Sequence, residues 1–149
     1  MAEYITSGQQ NVLLNQSAVF DASIPCRNGF VFHEDGSGIF TLCGKTSNCF
    51  ARYQITFNGN ISLPEGGTVV PIAVALAVNG ETKLTSRAIV TPAAVEEFFN
   101  VTSTAIITVP KGCCYSVSLR AVPASNDPTV TPAPAIVLQD GNLDISRIA

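Results

Sequence analysis

Apolar and polar residues alternate along most of this chain, in short runs punctuated by Gly, Pro and Asn. A period of two is the signature of strands, whose successive side chains leave opposite faces of a sheet. Val12-Leu13-Leu14 and Ala18-Val19-Phe20 open the pattern. Gly29-Phe30-Val31-Phe32-His33 and Ile39-Phe40-Thr41-Leu42-Cys43 flank Glu34-Asp35-Gly36-Ser37-Gly38, a glycine-rich turn, and together predict a hairpin. Residues 50–57 alternate again; Asn58-Gly59 predicts a second turn and Pro64-Glu65-Gly66-Gly67 a third.

Residues 69–78 carry two distinct apolar faces. Val70, Ile72, Val74, Leu76 and Val78 form a large branched face that should enter the core. Ala73, Ala75 and Ala77, with Val69 and Pro71, form the other, where a solvent-facing strand would carry Thr, Lys or Glu. Such a small-residue face lets another backbone come close. It fits either a cover supplied by the chain itself or a contact with a second copy, and Ala73, Ala75 and Ala77 are the candidate oligomer interface. Asn79-Gly80 is a strong hairpin signal leading to a strand over residues 83–90. Thr91-Pro92 is a helix-start pattern, so residues 91–97 are expected to form at most one or two helical turns.

From Phe99 the strand period returns, with Val101, Ala105, Ile107 and Val109 on one face and mostly polar residues on the other. After Pro110-Lys111-Gly112, the set Cys113, Tyr115, Val117 and Leu119 opposes Cys114, Ser116, Ser118 and Arg120. Residues 123–134 are a Pro/Ser/Thr loop without a period. A two-residue turn at Asp140-Gly141 would set Leu138 opposite Leu143 and Ile136 opposite Ile145. Residues 1–11 are polar and lack a core pattern, and read as a flexible N-terminal arm before a domain over residues 12–149. Roughly eight to ten strands of ordinary length, with no βαβ alternation, predict a single all-β domain, a jelly-roll β-sandwich.

Composition sharpens this picture. At 149 residues the chain suits one domain. Charged residues are only 13%, about half the usual share. So neutral a surface favours an oligomer that covers part of it. Eight Lys and Arg, scattered against a net charge of −3, supply no phosphate-binding face, so nucleic acid is not an expected partner. No apolar run is long enough for a membrane span, and the N-terminus lacks the basic start and apolar stretch of a secretory signal. Cytoplasmic synthesis is the expectation.

Chemistry is sparse. His33 is the single histidine, and no G-x-S-x-G elbow accompanies it, so it reads as a hydrogen-bonded structural residue. Glu96 and Glu97 are adjacent, which a strand would split between two faces, and form a weak acid–base pair. No enzyme activity and no cofactor are expected. Five cysteines leave one odd. Cys43 and Cys49 flank a short polar loop and could face each other across a hairpin, although cytosolic thiols stay reduced. A zinc site would want a C-x-x-C pair, which is missing. Three sequons, at Asn15, Asn60 and Asn100, mean little without secretion.

Several segments resemble motifs of small proteins from gut Clostridia and their prophages. They are residues 26–40, beginning Cys26-Arg27-Asn28-Gly29-Phe30, and residues 90–101, beginning Val90-Thr91-Pro92-Ala93-Ala94. Lys111-Gly112-Cys113-Cys114 and the closing Gly141-Asn142-Leu143-Asp144-Ile145-Ser146-Arg147-Ile148 complete the set. Those proteins look like the TNF/C1q-type jelly rolls at the ends of collagen-like spore-surface and phage fibre proteins. The resemblance implies a compact homotrimer serving as knob, cap or decoration. A bacteriophage virion protein, a capsid decoration or head-fibre component bound to the major capsid or another virion protein, is then the first expectation. A bacterial or spore-surface adhesion domain is the second. The resemblance carries no functional residue, and a domain without a preceding collagen-like or coiled-coil stalk is expected, a departure from the fibre proteins.

Overall fold

The computed structural model describes residues 2–24 and 30–148. Eleven strands follow one another in them: β1 (Ala2–Leu13), β2 (Ala22–Ile24), β3 (Val31–His33), β4 (Phe40–Cys43), β5 (Phe50–Ser62), β6 (Ile72–Val78), β7 (Glu81–Thr82), β8 (Ala88–Val90), β9 (Phe99–Pro110), β10 (Cys114–Val122) and β11 (Ala135–Arg147). One short 3-10 turn, Leu84–Ser86, separates β7 from β8. The strands form two antiparallel sheets. One has the order β2-β1-β11-β5-β9; the other has β3-β4-β10-β6-β7, with β8 also on β6. This is the expected jelly-roll sandwich.

Alternation places the core between the sheets. Tyr53, Ile55, Phe57 and Ile61 of β5 face Ile72, Val74 and Leu76 of β6, all closed to solvent. Val70 and Val78 lie at the margin of the same cluster. Phe20, in the connection after β1, brings an aromatic chain into the centre. Its ring stands edge-on to Phe57 at 6.5 Å and to Phe40 at 5.4 Å, a favoured geometry for ring quadrupoles. Asn79 and Gly80 both have positive φ, as a tight turn from β6 to β7 requires, and Val78 pairs with Glu81 across it.

Two expected turns are not turns. β5 runs unbroken through Asn58-Gly59, and β11 through Asp140-Gly141. The β1–β11 register slips between Thr6 and Gln9, and the β11–β5 register between Gln139 and Asn142. Gly8 and Asp140 take positive φ there, the mark of a bulge. The irregularities line up across three neighbouring strands, at Gly8, Asp140-Gly141 and Gly59. Both buried glycines make room for neighbours: a Cβ on Gly59 would stand 2.7 Å from the Phe57 ring, and one on Gly141 2.9 Å from the Thr6 methyl. Because β11 bulges rather than turns, Leu138 and Leu143 both reach the core from one strand.

The segment expected to be an arm is β1. It pairs with β11 from Ala2↔Ile145 to Leu13↔Ala135 and buries Tyr4, Thr6 and Val12. The bulge at Gly8 breaks the period of two in mid-strand, which hides the inward face. Residues 91–97 form no helix. Glu96 instead takes a positive φ and donates its N–H to the Leu63 carbonyl. The strand expected over residues 83–90 is interrupted because Ser86 turns inward. Its hydroxyl accepts the Leu76 N–H at 3.0 Å, so a side chain satisfies the β6 edge where backbone would have.

Glu3 and Asp144 are direct partners across β1 and β11, an unfavourable placement for like charges. Burial first, and the Glu3 charge second, push the Asp144 carboxyl above its ordinary value. An acid with a raised folded value costs stability as pH rises from its unfolded pKa through its folded one. Asp144→Asn should therefore raise the urea midpoint at neutral pH. The gain should vanish once the pH falls below the carboxylate range, as urea titrations at the two pH values would show.

Candidate interaction surface

Ala73, Ala75 and Ala77 are fully buried within a single protomer. Their partners on the same face are Val122 and Ile89 for Ala73, Arg120 for Ala75, and Ser118 and Thr82 for Ala77. Ala124 packs against the cluster of Ala73, Ala75 and Val122, and two arginines reach across the same face. Arg120 runs from β10 to donate to the Gly80 carbonyl at 2.9 Å, past Ala77. Arg87 starts on the far edge of β6 and donates to Pro123 O and Asn126 Oδ1, beyond β10, so its side chain crosses β6. Small residues beneath leave room for the two aliphatic stems. Of the two sequence readings, the cover comes from the chain itself, and the stripe offers no accessible surface to a second copy.

The other sheet presents a different outer face. β5 and β9 are long, and their outward residues pair as Gln54↔Ile106, Thr56↔Thr104, Asn58↔Thr102 and Asn60↔Asn100. Adjacent side chains bond to each other: Thr56 to Thr104 at 3.2 Å, Thr102 to Asn58 Oδ1 at 3.2 Å and Asn100 to Asn60 Oδ1 at 3.3 Å. Gln9 and Gln139 continue the pattern onto β1 and β11. No charged residue belongs to the four β5–β9 rows, although the Lys83 ammonium donates to the Ile106 carbonyl at 3.1 Å and Asp144 is the register neighbour of Thr56; Ile106 and Phe50 at one end are nearly half exposed. Arg52, Lys83, Glu3 and Asp144 place ionic groups around the border of these rows. A flat face of mutually bonded amides and hydroxyls can be covered without stripping water from a charge. Alternate Asn and Thr on two long strands carried this signal in the sequence, though no single residue there suggests chemistry.

The His33 ring stacks on Phe40 at 4.3 Å, meets Tyr4 at 4.7 Å, and bonds the Ser37 carbonyl through Nε2 at 2.9 Å. Asp35 is 3.9 Å from Nδ1. His33 is thus hydrogen-bonded, as expected, and packed against two rings. Glu96 and Glu97 are exposed. The Cys43 thiol meets Cys114 rather than Cys49, with 2.9 Å between the sulfurs. Among the described residues no group of three His, Cys, Asp or Glu could hold a metal ion. Cys26 lies outside them, as does the start of the first resemblance motif.

Two antiparallel sheets packed face to face make a jelly-roll β-sandwich, and its likeness is to TNF/C1q-type domains. Solved structures of that kind superpose over nearly the whole chain. The globular domain of a zebrafish complement 1qA protein is 13% identical, with 96% of this chain and 94% of that chain covered and a TM-score of 0.58. Eiger TNF from S. frugiperda is 12% identical, covering 100% and 92%, with a TM-score of 0.60. Murine APRIL is 12% identical, covering 96% and 97%, with a TM-score of 0.52. No protein-family model and no curated sequence matches the chain.

Proposed function

We propose that this chain is a non-enzymatic, self-associating knob, a homotrimer assembled through the outer face of β5 and β9, where the paired side chains from Gln54↔Ile106 to Asn60↔Asn100 are uncharged. One observation carries the reading: the β5–β9 rows from Gln54↔Ile106 to Asn60↔Asn100 contain no charge, although they lie on an open sheet face. Solvated sheet faces normally carry Lys and Glu, so a neutral one fits a covered one. The TNF/C1q-like fold is consistent with the same arrangement. Within this reading the knob is a virion component, a capsid decoration or head-fibre part docked on the major capsid or another virion protein. That placement rests only on the resemblance of residues 90–101 and 141–148 to prophage proteins.

Light scattering coupled to size exclusion should give three times the 15.6 kDa protomer mass. Thr102→Arg should give folded monomer, because it puts a charge in the middle of the face. A native monomer at micromolar concentration overturns the reading, and an unchanged mass for Thr102→Arg moves the interface elsewhere. Binding to virions from a strain deleted for the gene tests the placement. A surface adhesion domain is the second reading, favoured by the apposed thiols of Cys43 and Cys114, since disulfides persist in oxidising surroundings. Binding to host cells or spores but not to virions would select it.

A further inference from the structure

We infer that Cys43 and Cys114 form a built thiol pair that closes into an intramolecular disulfide when it meets a low-molecular-weight disulfide. The two residues are direct partners across β4 and β10. The Cys43 N–H donates to the Phe30 carbonyl and its carbonyl accepts the Tyr53 hydroxyl, both away from β10. The flanking Gly44 N–H donates to the Cys113 carbonyl at 2.8 Å. That pattern makes Cys43 and Cys114 a non-hydrogen-bonded pair, the site in an antiparallel ladder where side chains stand closest. Cα atoms there are about 4.5 Å apart, inside the disulfide range of roughly 4.4–6.8 Å.

Side-chain direction agrees. Phe40 and Leu42 of β4 point into the core, so Thr41 and Cys43 leave by the outer face. Val117 and Leu119 likewise send Cys114 outward. Cys114 is exposed and Cys43 is buried beneath it. The exposed thiol is the one a soluble disulfide reaches. Burial, and next the hydrogen bond with Cys114, push the Cys43 thiol up to about 11, while Lys45 pulls weakly the other way. Cys43 is therefore the proton-bearing partner that resolves the exchange.

The steps balance. The Cys114 thiolate attacks one sulfur of the small disulfide, forming a mixed disulfide and releasing one small thiolate. Cys43 loses its proton to solvent and attacks the Cys114 sulfur, releasing the second. Two protein thiols are oxidised and one small disulfide is reduced to two thiols. The product joins strands that sit far apart in sequence, so it closes a long loop of the unfolded chain.

The test is incubation of the native protein with oxidised glutathione, followed by intact mass and non-reducing peptide mapping. The expected product has lost two hydrogens, links the Cys43 and Cys114 peptides, reverts with reductant, and unfolds at higher urea than the reduced form. Cys114→Ser, at an exposed position, should keep the fold and abolish the link. Cys43→Ser should stop at glutathione bound on Cys114, and Cys49→Ser and Cys113→Ser should change nothing. A link to Cys49 or Cys113 overturns the inference, as does native protein that accumulates glutathione on Cys114 without closing.

Discussion

Phe57→Ala is expected to cost about 3–5 kcal/mol, the usual range for deleting a buried ring. Phe57 is closed to solvent and edge-on to Phe20. Its ring also fills the space that Gly59 and Gly141 leave open: a Cβ on the first would stand 2.7 Å from it, and one on the second 3.4 Å. The surrounding strands are held in ladders on both sides of β5, so they are poorly placed to collapse into the void. For a chain of this length such a loss lowers the melting temperature on the order of 10 °C. Calorimetry would measure it, and a loss below about 1 kcal/mol would mean the ring is not the packing centre. A double-mutant cycle sharpens the point. Gly59→Ala alone should be strongly destabilising, and less so once Phe57 is alanine, the remainder coming from Leu138 and the Gly141 backbone at 3.2 and 3.3 Å from the new Cβ.

Ala75→Arg should abolish cooperative folding. The methyl is fully buried, its register partner is Arg120, and Arg87 crosses the same strand. A third guanidinium would have neither volume nor counter-charge there. A buried unpaired charge costs several kcal/mol, comparable with the whole margin of about 5–15 kcal/mol. Circular dichroism and urea titration would show loss of the native transition. A folded, dissociated Ala75→Arg protomer would return the stripe to the role of subunit contact. Paired with folded monomeric Thr102→Arg, loss of the fold would separate the face that stabilises the protomer from the face that joins protomers.

Long uninterrupted periods were legible in the chain. The inward set of β6, the alternation of β9 and the Asn79-Gly80 turn follow from local pattern alone. What local pattern misread were glycines and asparagines within strands. Asn58-Gly59 and Asp140-Gly141 have the composition of turns, yet serve as a close approach and a bulge, because their neighbours continue the ladder. Gly8 likewise disguised β1 as an arm. The covering of Ala73, Ala75 and Ala77 was undecidable from spacing, since Arg87, Arg120 and Ala124 reach the stripe from elsewhere in the chain. The apposition of Cys43 with Cys114 depends on the β4–β10 register, and nothing near either residue encodes that register.

The pairing of Ala2 with Ile145 has a mechanical consequence. The two ends of the described chain leave one side of the five-stranded sheet as antiparallel neighbours. Tension applied between them would peel β1 from β11 one hydrogen bond at a time, a zipper that yields at low force. Tension between one end and a partner seated on the β5–β9 face would load many ladder bonds together in shear. A knob held by a single terminus would resist pulling far better than one stretched end to end.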